Sequence, residues 1–499
     1  MMGANLKKGL FVCCLTALVL AASLSVAADP IGQGMQFYKN HHYEDAAATL
    51  LAHLTLVEPS QQGKLYLGLG MTFLACAQVY QELHRTALSV QLDYLSKLLA
   101  SDQEEGSHYG KLYLGRSLLD SGKPAEAAVL LRRCIEDKQV KPRDRSLAKI
   151  ALARAYYLQG KHNEADELWS TVDTRDPEVV AELAAAYSRL GLAERKPLAM
   201  CEQIRQLLKQ TPQGGSIRLA NNLISVYARE GQIDQGLQLI KSTELSGFFH
   251  EETMGKNKTV RFYEPSLLDN LAVIYGRASL GYLEKAATDA KLRGVAQYYL
   301  ADAEARFGNV AQSIQILDEA LASGLLPSSY REKAELFCTV ARFWQSSGPK
   351  SQMHLEHTSW QQKEPQVLGD TLLICTRLNL ECSEIAEKAT ALAGVMDGKR
   401  FARLDYAMGR YYLRKDEYEQ AIAYMETVRD KSNKNKIEHN DPLMLISLAE
   451  AYYRSKKFSE ALEIYFGMRK QFPAIRQIQV SMQGVYAMEQ KSAGDAKLY

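Results

Sequence analysis

The residues with the clearest potential for chemistry are His354 and His357, in the segment HLEH. A spacing of three places both imidazoles on one face of a helix, where they could share a zinc ion. A zinc site uses three or four ligands, and the sequence does not identify a third ligand and a catalytic acid for this pair. A metal-dependent hydrolase therefore stays an alternative, and histidines at a helix surface are the simpler interpretation.

Motifs of the common enzyme classes are missing from the rest of the chain. The sequence has no glycine-rich phosphate loop, no HExxH pair and no GxSxG nucleophile elbow. We therefore predict a protein that is not an enzyme and that uses no cofactor, no metal and no small-molecule substrate.

Residues 1–28 have the pattern of a secretory signal peptide. Lys7 and Lys8 precede an apolar run, GLFVCCLTALVLAA, and Val26 and Ala28 suit the −3 and −1 positions of a cleavage site. An uncleaved membrane anchor is the alternative, because the apolar run can be extended to about 20 residues. We expect cleavage after Ala28 and a periplasmic location.

Cleavage would balance the charge of the chain. The full sequence has 60 Lys and Arg against 58 Asp and Glu, and the signal contains two lysines and no acid. A mature chain with no net charge has no general attraction to nucleic acid or anionic lipid.

Six cysteines remain after cleavage, and none forms a CxxC pair. Cys375 and Cys382 would lie about 10 Å apart along the axis of a shared helix, beyond the reach of a disulfide. We interpret all six as small buried side chains.

A repeated segment dominates the sequence. AYYLQGKHNEADELW (155–169) and AYYRSKKFSEALEIY (451–465) align on Ala165 and Ala461. Related segments with an alanine at the same place occur at 37–51, 118–131 and 411–425, and neighbouring copies are 38–40 residues apart.

Each copy predicts two helices joined by a turn. Ala148, Leu152 and Tyr156 have helical spacing, Gly160 suits a turn with positive φ, and Ala165 lets the second helix approach closely. A large aromatic residue one turn later fills the space before the next pair.

This ladder of small residue, Tyr, Gly, Ala, aromatic and Pro resembles the tetratricopeptide repeat. The resemblance covers most of 31–490 and is weak at 61–107 and 350–395. It implies an all-α, right-handed superhelical solenoid of about twelve antiparallel helix pairs, with a capping helix at 475–490.

The same resemblance implies a concave groove lined by the first helix of each pair. It places on that face Arg218, Asn221, Asn222, Arg229, Asp269, Asn270, Arg277, Tyr299 and Arg306. Asn222 and Asn270 match a position where ligand-binding repeats often carry asparagine, whose amide both donates and accepts hydrogen bonds. A solvated helix face is the alternative interpretation of the set.

A column of basic residues recurs near the end of the first helices. Its members are Lys39, Arg189, Arg229, Arg277, Arg306, Arg414 and Arg454. It is either a stripe for an acidic partner or, as we favour, cations placed at helix C-termini.

We divide the chain into a signal (1–28), an N-terminal solenoid (29–245), an insertion (246–265), a C-terminal solenoid with its cap (266–490) and a tail (491–499). The insertion contains a strand-like segment, TVRFY, and is either a simple connection or a functional loop.

The hypothesis that follows is a non-enzymatic scaffold of the bacterial cell envelope. It would bind peptide or helical segments of partner proteins in the groove. A narrower alternative is an assembly or export factor for an outer-membrane or exopolysaccharide machine.

Overall fold

The computed structural model describes residues 29–496 with internal gaps. The gaps are 102–106, 211–216, 243–249, 255–257, 263–264, 354–364, 396–401 and 430–440. The predicted signal peptide, His354, His357 and the last three residues of the tail lie outside the described residues.

Helices account for nearly all the regular structure. Those of the N-terminal part are α1 (Pro30–Lys39), α2 (Tyr43–Ala52), α3 (Pro59–Ser101), α4 (Ser107–Asp120), α5 (Pro124–Glu136), α6 (Pro142–Leu158), α7 (His162–Ser170), α8 (Pro177–Arg189), α9 (Pro197–Gln210), α10 (Ile217–Arg229) and α11 (Ile233–Ser242). Those of the C-terminal part are α12 (Ser266–Ala287), α13 (Arg293–Arg306), α14 (Val310–Ala322), α15 (Ser328–Ser347), α16 (Pro365–Arg377), α17 (Ser383–Val395), α18 (Ala402–Arg414), α19 (Tyr418–Arg429), α20 (Pro442–Arg454), α21 (Phe458–Met468) and α22 (Arg476–Ala496). Short 3₁₀ turns lie at Ala193–Arg195 and Pro473–Ile475.

Turn residues with positive φ separate the two helices of most pairs. Two C-terminal turns hold Asp416 and Lys456 at φ +60°, a conformation that costs a residue with a side chain roughly 1–2 kcal/mol. His41 and Asn379 take the same conformation in two more turns, and five turns use glycine, which adopts it freely, at Gly122, Gly160, Gly191, Gly231 and Gly308.

The repeated alanine and aromatic residues have the packing roles that the sequence predicts. Ala165 is fully buried, and Trp169 contacts the edge of Tyr187 on the next pair with ring centroids 5.1 Å apart. Ala461 and Tyr465, the matching residues near the other end, are also fully buried. The prediction of an all-α solenoid is confirmed.

Helix α3 breaks the paired pattern because it continues for 43 residues. At 1.5 Å per residue, it is a rod of about 65 Å. No proline and no residue with positive φ interrupts it after Pro59, so the chain cannot turn back on itself. This explains why the repeat pattern is faint at 61–107.

The first half of α3 packs along α12. The ring of Phe73 stacks on Tyr275 and Tyr282, with centroids 5.7 Å apart in both pairs. The Ser279 hydroxyl donates a hydrogen bond of 2.8 Å to the carbonyl oxygen of Gly70. A side chain at Gly70 would place its Cβ 2.6 Å from Leu283 Cγ, so glycine permits this close crossing.

The second half of α3 contacts helices from the far end of the chain. The guanidinium of Arg85 donates to Glu450 of α20 at 2.7 Å. The hydroxyl of Tyr453 donates to Asp93 at 2.6 Å, and Lys97 forms an ion pair with Glu489 of α22. The array of helix pairs therefore curves until both halves lie against α3.

The predicted insertion contains two paired β-strands. They are the only strands among the elements that the structure describes. Strand β1 (His250–Met254) pairs antiparallel with β2 (Lys258–Phe262), and His250 lies opposite Phe262. Residues 259–262 of β2 confirm the strand-like reading of that segment. The division of the chain into the proposed domains stays a prediction.

The main core joins buried residues of the segment from α2 to α12 to buried residues of the segment from α18 to α22. Tyr80 of α3 is fully buried and meets the edge of Phe472 with centroids 6.0 Å apart. A second buried cluster runs from Ala301 to Tyr411. None of the helices in the described residues is both long enough and apolar enough to cross a bilayer.

Candidate functional site on the inner helix faces

The predicted groove residues lie on three successive first helices, α10, α12 and α13. Their exposure differs widely. Arg277 is exposed, Arg229, Asp269, Tyr299 and Arg306 are half-buried, and Arg218, Asn221, Asn222 and Asn270 are buried.

The buried asparagines join neighbouring helices to one another. The amide of Asn222 donates to Glu182 of α8 at 3.0 Å. The amide of Asn270 on α12 donates to the side chain of Asn221 at 2.8 Å, and Asn221 donates to Ser266 at 3.0 Å. These amides align consecutive repeats, so their contact with a partner protein stays a prediction.

Arg229 is the centre of this polar network. Its Nη2 donates to Asp269 at 2.6 Å and its Nη1 donates to Asn270 at 2.8 Å. The pairing brings two of the predicted groove residues of α12 to the end of α10.

Arg306 and Tyr299 of α13 also have internal partners. The hydroxyls of Tyr299 and Tyr330 are 3.4 Å apart, and Arg306 Nε donates to Asp302 at 3.0 Å. Burial raises the pKa of Asp302, but the guanidiniums of Arg306 and Arg377 outweigh it and lower the pKa to about 2. Asp302 is therefore a fixed negative charge at neutral pH.

The basic column does not form one continuous exposed stripe. Lys39, Arg277 and Arg454 are exposed, whereas Arg414 donates at 2.9 Å to the carbonyl of Leu380, just after α16. Arg189 lies in a cavity shared with Arg229. The structure thus separates the column into exposed cations and cations held against neighbouring repeats.

This cavity, which we call the arginine cavity, has a volume of about 170 Å³. Its walls come from α3, α4, α6, α8, α10 and α12. The lining residues are His84, Asp120, Arg154, Arg189, Arg229, Ser266 and Asp269.

Two ion pairs form part of the wall of the arginine cavity. Arg154 Nη1 is 2.9 Å from Asp120 Oδ1, and Arg229 is paired with Asp269. Burial raises the pKa of Asp120, but Arg154, Arg189 and His84 outweigh it and hold the pKa below the usual value. The aspartate therefore stays ionised.

A second charged cluster lies along α3. Arg410 of α18 donates to both carboxylate oxygens of Glu82, at 2.9 and 3.1 Å. Burial raises the pKa of Glu82, yet Arg410 and Arg85 together lower it to about 2. This arrangement fixes α18 against the central helix.

Of the residues that line the cavity, the sequence analysis named Arg189, Arg229 and Asp269 and missed His84, Asp120, Arg154 and Ser266. The first three of these missed residues contact the others only because α3, α4 and α6 meet α8 and α10. The sequence did contain one sign of these contacts, because the long segment of α3 has no turn residue. A helix with no partner in its own repeat must pack its apolar face against other repeats.

Cys375 and Cys382 do not share a helix, so the separation expected along one helix axis does not apply to them. Cys375 is in α16, the chain turns at Asn379 (φ +59°), and Cys382 precedes α17. The nearby thiol of Cys382, together with burial, raises the pKa of Cys375. All six described cysteines are buried.

The described residues contain no group of three or more His, Cys, Asp and Glu side chains arranged to hold a metal. The histidine pair of the hydrolase alternative is outside those residues.

Comparison with known proteins identifies the repeats. The tetratricopeptide repeat family profile matches residues 112–168 and 406–473, and a PPR repeat profile matches 219–248. A search of curated proteins found no significant match.

Solved structures align over most of the chain with low similarity. Yeast Tom70 is 13% identical with a TM-score of 0.30, over 94% of this chain and 96% of that one. The APC/C hetero-tetramer Cut9-Hcn1 is 13% identical with a TM-score of 0.25, over 96% and 94%. The maize pentatricopeptide repeat protein PPR10 is 16% identical with a TM-score of 0.23, over 91% and 68%.

The two matched segments contain Ala165, Ala461 and Tyr465, whose packing was described above, and Trp169 follows directly after the first segment. The chain is therefore a helical solenoid that carries tetratricopeptide repeats at 112–168 and 406–473.

Proposed function

We propose that this protein is a non-enzymatic interaction scaffold of the bacterial cell envelope, exported by residues 1–28. The observation that carries the proposal is the pair of tetratricopeptide segments within one helical array. Such arrays present long curved surfaces to other proteins. The partners would be proteins or peptides, bound as extended or helical segments.

The exposed part of the inner face is where we propose that a partner binds. Arg277 is exposed, and Asp269, about two turns earlier on α12, keeps 36% of its side-chain surface accessible. The amides of Asn221, Asn222 and Asn270 already have partners within the chain, so we assign them to holding this surface in shape.

A pull-down with a photo-crosslinking residue at position 277 tests the binding surface. We expect it to capture one or a few envelope proteins in living cells. The matched control is the same crosslinker at Glu319, an exposed position on the second helix α14. Equal capture from both positions, or none from 277, would contradict a partner site at this face.

The mass of the purified protein's N-terminus tests export separately. We expect the mature chain to begin at Asp29. An intact N-terminus found in the membrane fraction would instead support the anchor, and an intact N-terminus in the soluble cytosolic fraction would refute export.

A further inference from the structure

The arginine cavity contains one more fixed positive charge than negative charge. Arg154 and Arg229 are each paired with an aspartate of the wall, at 2.9 and 2.6 Å. Arg189 is the third guanidinium, and its Nη2 atom is buried with no hydrogen-bond partner in the described part of the chain.

Removing a guanidinium from water is unfavourable unless its N–H groups find new acceptors. Asp120 and Glu182 are close enough to attract Arg189, but neither accepts a hydrogen bond from its buried Nη2 atom. Burial and the nearby guanidinium of Arg154 lower the pKa of Arg189. The other close carboxylate, Glu182, already accepts from Arg116 and Asn222.

Two further polar groups of the wall are available to a ligand. The Nε2 atom of His84, on α3, is also buried without a hydrogen-bond partner among the described residues. The Ser266 hydroxyl oxygen accepts from Asn221 at 3.0 Å, which leaves its own proton to donate. An arginine, a histidine and a serine therefore line one space from three helices.

We propose that the arginine cavity binds a small oxyanion, a phosphate or carboxylate group, on Arg189 Nη2 with His84 and Ser266 beside it. The anion supplies the missing negative charge and accepts charge-assisted hydrogen bonds, which are the strong kind. A volume of about 170 Å³ is far above the roughly 10–15 Å³ that one water requires. This assignment does not depend on export or on a protein partner.

The wall does not suit the other classes of small ligand. A metal cation would be repelled by the three guanidiniums, and both aspartates already accept from arginines. An apolar ligand would leave the Arg189 and His84 nitrogens without partners.

Isothermal titration calorimetry with inorganic phosphate and with acetate tests the proposal on the full chain. Sodium chloride at equal ionic strength is the reference titration. We expect saturable binding of one phosphate or acetate per chain, and the variant Arg189→Gln should bind at least about tenfold more weakly.

Arg195→Gln is the matched control, because it removes the same charge from the exposed ion pair with Asp166 just beyond α8. It should bind like the unchanged protein. If Arg189→Gln does not fold, the variant His84→Phe is used instead. We expect it to bind phosphate and acetate severalfold more weakly than the unchanged protein.

The absence of saturable binding beyond that of chloride would overturn the proposal. So would equal binding by Arg189→Gln and the unchanged protein. A short peptide with a free C-terminal carboxylate, compared with its amidated form, shows whether the anion is a free ion or belongs to a partner chain. If the free-carboxylate peptide binds more tightly than acetate, the anion belongs to a partner chain. If it does not bind, the anion is a free ion.

Discussion

At the scale of single residues, burial decides which charges are fixed and which respond to pH. Glu82 and Asp302 are each held ionised by one arginine on their own helix and one on another helix. No cation of the described residues lowers the pKa of Glu44 on α2, and its carboxylate accepts a hydrogen bond from the hydroxyl of Tyr80. Burial raises the pKa of Glu44 to about 7 despite this hydrogen bond.

The variant Glu44→Gln should remove a pH dependence of stability. The folded state keeps the Glu44 proton between about pH 4.5 and 7, whereas the unfolded chain releases it, so this residue lowers stability as pH rises through that window. We expect the variant to match the unchanged protein at pH 4.5 and to be about 2–3 kcal/mol more stable at pH 8.

Urea unfolding at several pH values measures that difference. Glu335→Gln, an exposed change on α15, should differ from the unchanged protein by a constant amount. A difference for Glu44→Gln that does not grow between pH 4.5 and 7 would show that Glu44 titrates normally.

At the scale of elements, the crossing of α3 and α12 depends on a close approach of two backbones. The Cβ of a side chain at Gly70 would lie 2.6 Å from Leu283 Cγ and 3.2 Å from the Leu283 backbone nitrogen. Gly281, on α12 itself, has no atom within 4 Å of the same position. Alanine substitutions at these two glycines therefore distinguish the effect of packing from the effect of helix propensity.

Gly70→Ala should destabilise the protein by about 1–3 kcal/mol, because the crossing must open. Gly281→Ala should stabilise it by about 0.5–1 kcal/mol, because alanine favours helix and meets nothing. Denaturant midpoints at constant slope measure both changes. The same sign of effect at both positions would contradict the close crossing.

At the scale of the whole molecule, α3 couples segments that an open solenoid would keep apart. Each repeat of a simple array contacts only its neighbours, and long arrays then lose cooperativity. Here one helix touches α12, α18, α20 and α22. Unfolding of either half must therefore disrupt the same central packing.

Single-tryptophan proteins test this coupling. One keeps only Trp169 on α7 and the other keeps only Trp344 on α15, with the remaining tryptophans changed to phenylalanine. We expect their fluorescence transitions in urea to coincide.

Arg410→Ala should shift both transitions by about 2–4 kcal/mol, because half-buried Glu82 loses its main partner and keeps only the weaker ion pair with Arg85. Transitions that are already separate in the protein with Arg410 would mean that the halves unfold independently.

The residues that pack each repeat could be predicted from the sequence, because their partners are at most about one repeat away. Ala165, Trp169, Ala461 and Tyr465 recur at a fixed spacing, and the structure buries each of them. The helix pairs, the turn glycines and the strand-like segment follow from the same local patterns. The groove residues were predicted from their position in the repeat. That position tells on which face of a helix a residue lies, but it does not tell whether a neighbouring helix covers that face.

Only the tertiary structure decided what lies against α3. Glu82 and Arg410 are 328 residues apart in sequence, and Gln91 and Ser481 are 390 apart. Such contacts depend on the curvature that accumulates over many repeats, and this curvature cannot be predicted from the sequence of one repeat. The sequence by itself therefore determined the repeating unit, and the accumulated curvature decided that the repeats enclose a central helix and an arginine-lined cavity.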